Sequence, residues 1–406
     1  MSERRFLAVL AALAAARVGI ALAVLAAEGS KLPLVPRYDW HGFEGDANGY
    51  ASGARELVST ASSPRAAGGA VACLVAAATA MWLLHRLGKP VWTHVLAAGA
   101  GLAGAATAVV AAMHPSGAPV IGWPLLWSVP LAPVRLLGEP SVRLTWGIGA
   151  AVSLLCVAAA TIATGLLGRR ATGSARVGIG AAALFAVWPL LTGSIAGERA
   201  WENGTWLVDA GLHLYTEPLS TALVTTAVVL VLRPGGDGSR AAAGLLLGFA
   251  TAVKLTNGVI ALALLPLVVW RHGLRAAVPY AIGGALFAPL VAAYWDKGYL
   301  ANYGGSISAT EHPWGLGYVV DNWTDSLLFT PLLLVLLAPL FVAGCLALRD
   351  RFALAVLLAT VGTTVVVYSV YDVTPLHPRF FFVALPCVFV LETLGAAAVA
   401  RRALPT

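Results

Sequence analysis

Five short stretches of this chain carry the residue types that can do chemistry. The segment GDANGY (45–50) sets Asp46 four residues before Tyr50, so in a helix the two share one face. Glu44 and Asp39 lie in the same polar stretch. YTEPL (215–219) puts Glu217 directly before Pro218, and KLTNG (254–258) interrupts a long apolar run with Lys254. HPRFF (377–381) flanks a proline with His377 and Arg379, and AGERAW (196–201) adds Arg199. A carboxylate can take the proton of a hydroxyl, while ammonium and guanidinium groups hold phosphate oxygens, arginine in a two-pronged geometry. A carboxylate among several cations suits an anionic substrate attacked by a hydroxyl; Asp46 is the leading candidate carboxylate of its loop, with Asp39 and Glu44 weaker candidates. Lys254, His377, Arg379 and Arg199 would then hold phosphate.

Each of these residues also has a structural reading. Asp46 can act as the N-cap of a helix over 46–58, Asp being favoured there. Ala51, Ala54, Leu57 and Val58 give that helix an apolar side that can lie along a membrane surface. Pro218 suits a first helical turn, and a carboxylate at Glu217 is stabilised there by the helix dipole. The competing role for Glu217 is a sugar-hydroxyl or metal ligand. Arg379 at a helix entrance can anchor the helix at the interface.

Familiar catalytic signatures are missing. The chain has no GxxxxGK[ST], HExxH, GxSxG or CxxC, so nucleotide hydrolysis, zinc proteolysis and serine hydrolysis lack their usual motifs. Cys73, Cys156, Cys345 and Cys387 all fall in apolar runs without metal-type spacing and read as packing residues. NGT (203–205) and NWT (322–324) match the glycosylation sequon, which matters only in a eukaryotic source.

The elements that must position these residues are set by composition. The 406 residues are 59% hydrophobic and 11% charged, with a mean hydropathy of +0.82. Charged residues make up about a quarter of an ordinary soluble chain. Apolar runs of 18 or more residues recur throughout, each long enough to cross a ~30 Å hydrocarbon core as a helix. They lack the alternation of barrel strands. The expectation is an all-α, polytopic membrane protein forming one integral-membrane domain over 1–406. The first run, 6–27, follows Arg4 and Arg5, lacks a convincing cleavage site and carries Arg17, so it reads as a retained helix.

Basic residues cluster at Arg4/Arg5, Arg86/Lys89, Arg169/Arg170/Arg176, Arg233/Arg240, Arg271/Arg275, Arg349/Arg351 and Arg401/Arg402. The net charge of +7 is thus read as the positive-inside bias and not as a nucleic-acid surface. Placing every cluster in the cytoplasm requires an even number of crossings between neighbours. Helices near 6–27, 66–84, 91–113, 144–167, 177–195, 217–232, 276–294, 327–347, 352–371 and 380–399 satisfy this. Between Arg240 and Arg271 a single helix would break the parity, so the run 241–270 is expected to be a broken helical hairpin turning at Lys254–Gly258. A backbone break at membrane depth is tolerated where it lines a protein cavity, and Lys254 gains functional weight from sitting there. The count is about 12 membrane segments with both termini cytoplasmic. Of 19 acidic residues, only Glu3, Asp237, Asp350 and Glu392 fall on the cytoplasmic half. The rest gather in outer loops near 28–65, 114–143, 196–216, 295–326 and 371–379, which also hold several tryptophans. Chemistry is expected on that outer face. Arg17 could pair with an acid of a neighbouring helix or reach a lipid phosphate.

The order GDANGY after helix one, YTEPL opening a middle helix, then GLLLGFATAVKLTNGVIALALLP and HPRFFFVALP, resembles the GT-C superfamily of integral-membrane glycosyltransferases. Within it, the chain is most similar to bacterial polyprenyl-phosphate-mannose-dependent mannosyltransferases. The resemblance implies a GT-C-like fold and inverting transfer of a sugar, mannose favoured, from a polyprenyl-phosphate donor to a lipid or glycan acceptor. It implies Asp46 as general base, with Lys254, His377, Arg379 and Arg199 on the donor phosphate and Glu217, Tyr50 and Glu44 on sugar or acceptor. No cofactor is required by the sequence; a divalent metal is left as an open option, because many relatives pair two acids in the first outer loop where this chain has GD alone with Glu44 two residues earlier. The Ala-, Arg- and Gly-rich, Lys-poor composition points to a high-GC bacterium, hence to the outer face of its cytoplasmic membrane. A secondary transporter or lipid flippase of about 12 helices is the alternative, since broken helices with an intramembrane charge suit such folds. A noncatalytic envelope-complex subunit is a third.

Overall fold

A computed structural model describes residues 1–28, 58–113, 142–196, 216–297, 314–327, 331–371 and 378–403. Its regular elements there are helices: α1 Glu3–Glu28, α2 Pro64–Arg86, α3 Val91–Ala112, α4 Val142–Thr172, α5 Ala175–Ala196, α6 Thr216–Val231 and α7 Asp237–Val253. Then follow α8 Asn257–His272, α9 Leu274–Ala285, α10 Ala288–Asp296, α11 Tyr318–Leu327, α12 Pro331–Ala347, α13 Arg351–Ser369, a 3-10 helix Pro378–Val383 and α14 Leu385–Ala403. Among the described residues, six helical stretches are long and apolar enough to cross a membrane: Glu3–Ala23, Pro64–Arg86, Val91–Ala112, Ala151–Thr172, Leu274–Asp296 and Arg351–Ser369. Shorter apolar helices lie at Ala175–Trp188, Thr216–Val231, Asn257–His272 and Ala338–Ala347. The described residues are all-helical in their regular structure and of membrane-protein character.

The expected hairpin is present. Tyr280 of α9 touches both of its arms: its hydroxyl donates to the Ala261 carbonyl of α8 at 2.8 Å, and its own carbonyl lies against Gly244 of α7. The chain therefore doubles back over Lys254–Thr256. Lys254 leaves the helical region at φ −152° and ψ 117°, and the Asn257 side-chain amide donates to the Ala250 carbonyl at 2.9 Å. That carbonyl also accepts from Lys254 N at 2.8 Å, so two donors hold the last turn of α7 against the start of α8. The segment expected near 276–294 is found as the single apolar stretch Leu274–Asp296, with a local break at Leu286–Phe287 between α9 and α10. Pro289, in the first turn of α10, lacks the N–H that would bond back across that break.

The core is formed where α4, α5, α6, α7, α8, α13 and α14 meet, around Phe185, Trp188, Phe382 and Phe389, whose rings contact one another. The α2–α3 hairpin packs at the side through α3 on α7 and α10. Val71, Leu74, Val75, Trp82 and Leu83 of α2 are exposed, as a lipid-facing helix requires. Two crossings depend on bare glycine surfaces. Gly244 and Gly248, a GxxxG pair on α7, lie against the backbone of α9 at Tyr280 and Gly284, and Gly344 and Gly395 bring α12 onto α14. A methyl group at Gly344 would collide with the Leu391 carbonyl. Gly344→Val should therefore push α12 from α14 and cost about 1–3 kcal/mol. The expected readout is a thermal midpoint in detergent several degrees below wild type.

The basic residues collect at one end of the bundle. Arg169 pairs with Glu3 at 2.7 Å and lies over the Phe6 ring, and Arg240 at the start of α7 is close to His272 at the end of α8. The first contact ties the chain start to the end of α4, and the second ties the two arms of the hairpin at its base. Cys73, Cys156, Cys345 and Cys387 are free thiols packed among helices.

Candidate functional site

At the opposite end of the bundle, elements far apart in sequence bring their polar residues together. Glu217 sits in the first turn of α6, and Lys254 caps α7. The Lys254 ammonium donates to Glu217 Oε1 at 2.6 Å, with both side chains only 3% exposed. The helix N-terminus favours the carboxylate, and the extended backbone at the hairpin tip turns the lysine away from its own helix. Lys254 Nζ also lies 4.4 Å from the centre of the Phe380 ring and 5.3 Å from that of Tyr368. Within about 6 Å, a ring face attracts a cation through its quadrupole. The two rings stack almost parallel at 4.6 Å.

Hydrogen bonds lock this arrangement. Thr256 Oγ1 and Tyr368 Oη are 2.8 Å apart, Asn257 donates to Ser220 Oγ at 2.9 Å, and Thr216 Oγ1 donates to Glu217 Oε2 at 3.4 Å. A void of about 10 Å³ lies beside Thr256, Asn257, Tyr368 and Phe380, room for at most one water. The site thus joins α6, the hairpin tip, α13 and the 3-10 turn that opens α14.

Asn322, fully buried on α11, fastens the end of α13. Its side-chain amide donates to the carbonyls of Tyr368, Ser369 and Tyr371 at 3.3, 3.2 and 2.7 Å. Gly315 N donates to the Val370 carbonyl, and Trp314 pairs with Tyr371 through backbone and rings. The backbone leaving Tyr371 is held where the chain sets out towards the HPRFF turn. The NWT sequon therefore presents, in the folded chain, a buried amide already bonded to three carbonyls, an environment with no room for a glycan at Asn322. Asn322→Ala should strand those carbonyls at a cost of about 1–3 kcal/mol, seen as a lowered thermal midpoint. Expression of the wild-type chain in a glycosylating host should give no glycan mass at position 322.

Of the residues singled out in the sequence, the structure brings Glu217 and Lys254 into direct contact and sets the 3-10 turn bearing Arg379 beside them, through Phe380. The Arg379 side chain, and Asp39, Glu44, Asp46, Tyr50, Arg199 and His377 entirely, lie outside the described residues. Sequence reasoning missed Ser220, Thr256, Asn257, Asn322, Tyr368 and Phe380. Polar residues inside apolar runs were the available signal for the first three. Tyr368 and Phe380 look like ordinary membrane aromatics until the fold stacks them under a cation. Arg17 and Glu392 are 1% and 3% exposed within the bundle, and Arg17 Nε and Glu392 Oε2 have no hydrogen-bond partner among the described residues. Arg17 forms no ion pair with a described acid, so the pairing expected as one option is not seen there. The described residues hold no group of three or more His, Cys, Asp or Glu arranged for a metal ion. No protein-family model matches the chain, and no curated protein sequence is significantly similar to it.

Proposed function

We propose that this protein is a GT-C-like membrane glycosyltransferase of a bacterial cytoplasmic membrane, with about 12 membrane segments and its active site on the outer face. It would move a sugar, mannose favoured, from a polyprenyl-phosphate donor to a lipid or glycan hydroxyl. The observation that carries this reading is the buried Lys254–Glu217 pair beneath the Tyr368–Phe380 stack. It gathers three of the segments singled out as chemical, YTEPL, KLTNG and HPRFF, at one end of the helices. That end is opposite the basic one. α7 is 17 residues long, about 25 Å, so in this reading Lys254 lies near the far membrane boundary from Asp237.

In this reading Asp46 removes the acceptor hydroxyl proton as the oxygen attacks the anomeric carbon. The bond from that carbon to the phosphate oxygen breaks, polyprenyl phosphate leaves with the bonding electrons, and the configuration at the anomeric carbon inverts. Arg379, His377, Arg199 and Lys254 hold the departing anion, each well-placed donor contributing on the order of 10²–10³-fold. Glu217 orients Lys254, and Tyr50 and Glu44 hold sugar or acceptor. A lipid-borne donor accounts for a site at a membrane boundary without a nucleotide-binding domain.

The test is product analysis with purified protein, polyprenyl-phosphate-mannose or polyprenyl-phosphate-arabinose, and a lipid or glycan acceptor. Glycosylated acceptor with release of polyprenyl phosphate is expected. No transfer from either donor, together with substrate-driven uptake in proteoliposomes, would establish the transporter reading instead. Buried Arg17 and Glu392 favour that second reading, because transporters keep essential charges inside the bundle.

A further inference from the structure

The basic end of the molecule holds a cavity that the proposed transfer reaction does not use. Its volume is about 1280 Å³, and it opens between the α4–α5 link, the α12–α13 link and the last turn of α14. Arg170 and Arg176 come from the first link, Arg349 from the second, and Arg401 and Arg402 from α14. The positive-inside rule asks each link for basic residues. It does not ask that helix ends separated by up to 232 positions place theirs around one hollow.

Charge pairing separates these arginines from others at the same end. Arg169 is paired with Glu3 and Arg240 with Asp237, each at 2.7 Å. None of the five lining arginines forms an ion pair with a described residue. One carboxylate, Asp350, lines the cavity, and its Oδ1 accepts from Phe352 N and Ala353 N at 2.9 and 3.1 Å, capping α13. Five guanidinium groups thus surround a hollow whose single acid is held by backbone amides. Leu346, 83% exposed, stands on the rim and offers an apolar surface beside the charge.

We propose that this vestibule is a binding site for a phosphate-bearing anion, either the headgroup of an anionic lipid or a free polyphosphate. Guanidinium groups take phosphate oxygens through paired N–H donors. Basic pockets between membrane helices on the cytoplasmic side take anionic headgroups in the same way. With the basic end read as the cytoplasmic one, as in the proposed function, the opening would meet such headgroups, and exposed Leu346 offers a place for the start of an acyl chain.

The experiment titrates purified full-length protein in a neutral detergent with dioleoyl phosphatidylglycerol, dioleoyl phosphatidylcholine and inorganic pyrophosphate, read by native mass spectrometry. A variant R349Q/R401Q/R402Q removes charge from the vestibule. R4Q/R5Q/R86Q removes the same charge from the same end, outside the cavity. Wild type is expected to bind phosphatidylglycerol or pyrophosphate over phosphatidylcholine. The vestibule variant is expected to bind about 100-fold more weakly, roughly fivefold per arginine, while the control variant stays within threefold of wild type. Binding of phosphatidylglycerol that pyrophosphate does not displace identifies a lipid site. Pyrophosphate binding without lipid binding identifies a soluble anion. No preference for either anionic probe by wild type, or equal loss in both variants, would overturn the proposal. The wild-type titration decides even if a variant fails to fold.

Discussion

Asp46→Asn is expected to lower sugar transfer by on the order of 10²–10⁴-fold, the range a positioned general base contributes. The choice of Asn separates the two readings of this residue. Asn caps a helix about as well as Asp, so if Asp46 only starts the helix after the first outer loop, the variant should keep both its fold and its activity. If the carboxylate takes the acceptor proton, Asn keeps the cap and loses the chemistry. The measurement is initial rate in membranes supplied with polyprenyl-phosphate-mannose, normalised to the amount of folded protein by size-exclusion chromatography. Turnover within threefold of wild type would remove Asp46 as the base. Asp39→Asn, assayed in parallel, then becomes the informative variant, and Glu44→Gln reports on acceptor contacts through KM.

The second large effect concerns the buried pair. Removing one member leaves a charge in a nearly dry site, and breaking a buried ion pair in this way costs about 3–5 kcal/mol. Lys254→Met and Glu217→Gln should each lower the thermal midpoint markedly, Lys254→Met also removing the cation held over the Phe380 ring. The double variant should recover much of the loss, because replacing both charges by groups of similar shape is often neutral. Such recovery is what makes the pair informative about function. If the double variant is as stable as wild type yet transfers sugar at least 100-fold more slowly, Lys254 works on the donor phosphate. If it is stable and active, the pair is a structural clasp and the phosphate role passes to the arginine and histidine of the HPRFF turn. A double-mutant cycle on midpoint and rate together distinguishes these results.

The pair also changes what Lys254 can be. Read alone in the sequence, it is a cation at a membrane break, ready for any anion. In the structure its charge is shared with Glu217 and with two ring faces, so it acts within a preorganised cluster. Such clusters favour charge that develops in a transition state over charge already present in the ground state. A phosphate that gains charge as it leaves is the kind of partner this arrangement suits.

Much of the fold was legible in the sequence because the bilayer imposes one rule. Backbone polar groups in hydrocarbon must be satisfied within the segment, so long apolar runs become helices. The expected segments near 66–84, 91–113 and 352–371 fall on α2, α3 and α13, and charge parity required a turn where the hairpin tip is found. The segment expected near 276–294 likewise falls on Leu274–Asp296, which carries a local break at Leu286–Phe287.

The sequence by itself determined the class of molecule, the positions of its apolar helices and a short set of residues worth testing. Only the tertiary structure decided which of those residues meet. A membrane helix is apolar on nearly every side, so no hydrophobic stripe reveals which face turns inward. Rotation is set by close packing, such as Gly244 against Tyr280 and Gly344 against Leu391. Once those contacts fix the faces, Glu217 meets Lys254 across 37 positions and Thr256 meets Tyr368 across 112. The same packing gathers five arginines from separate helix ends around one cavity. Distances of that kind arise from how helices rotate and cross, which hydropathy along the chain does not encode.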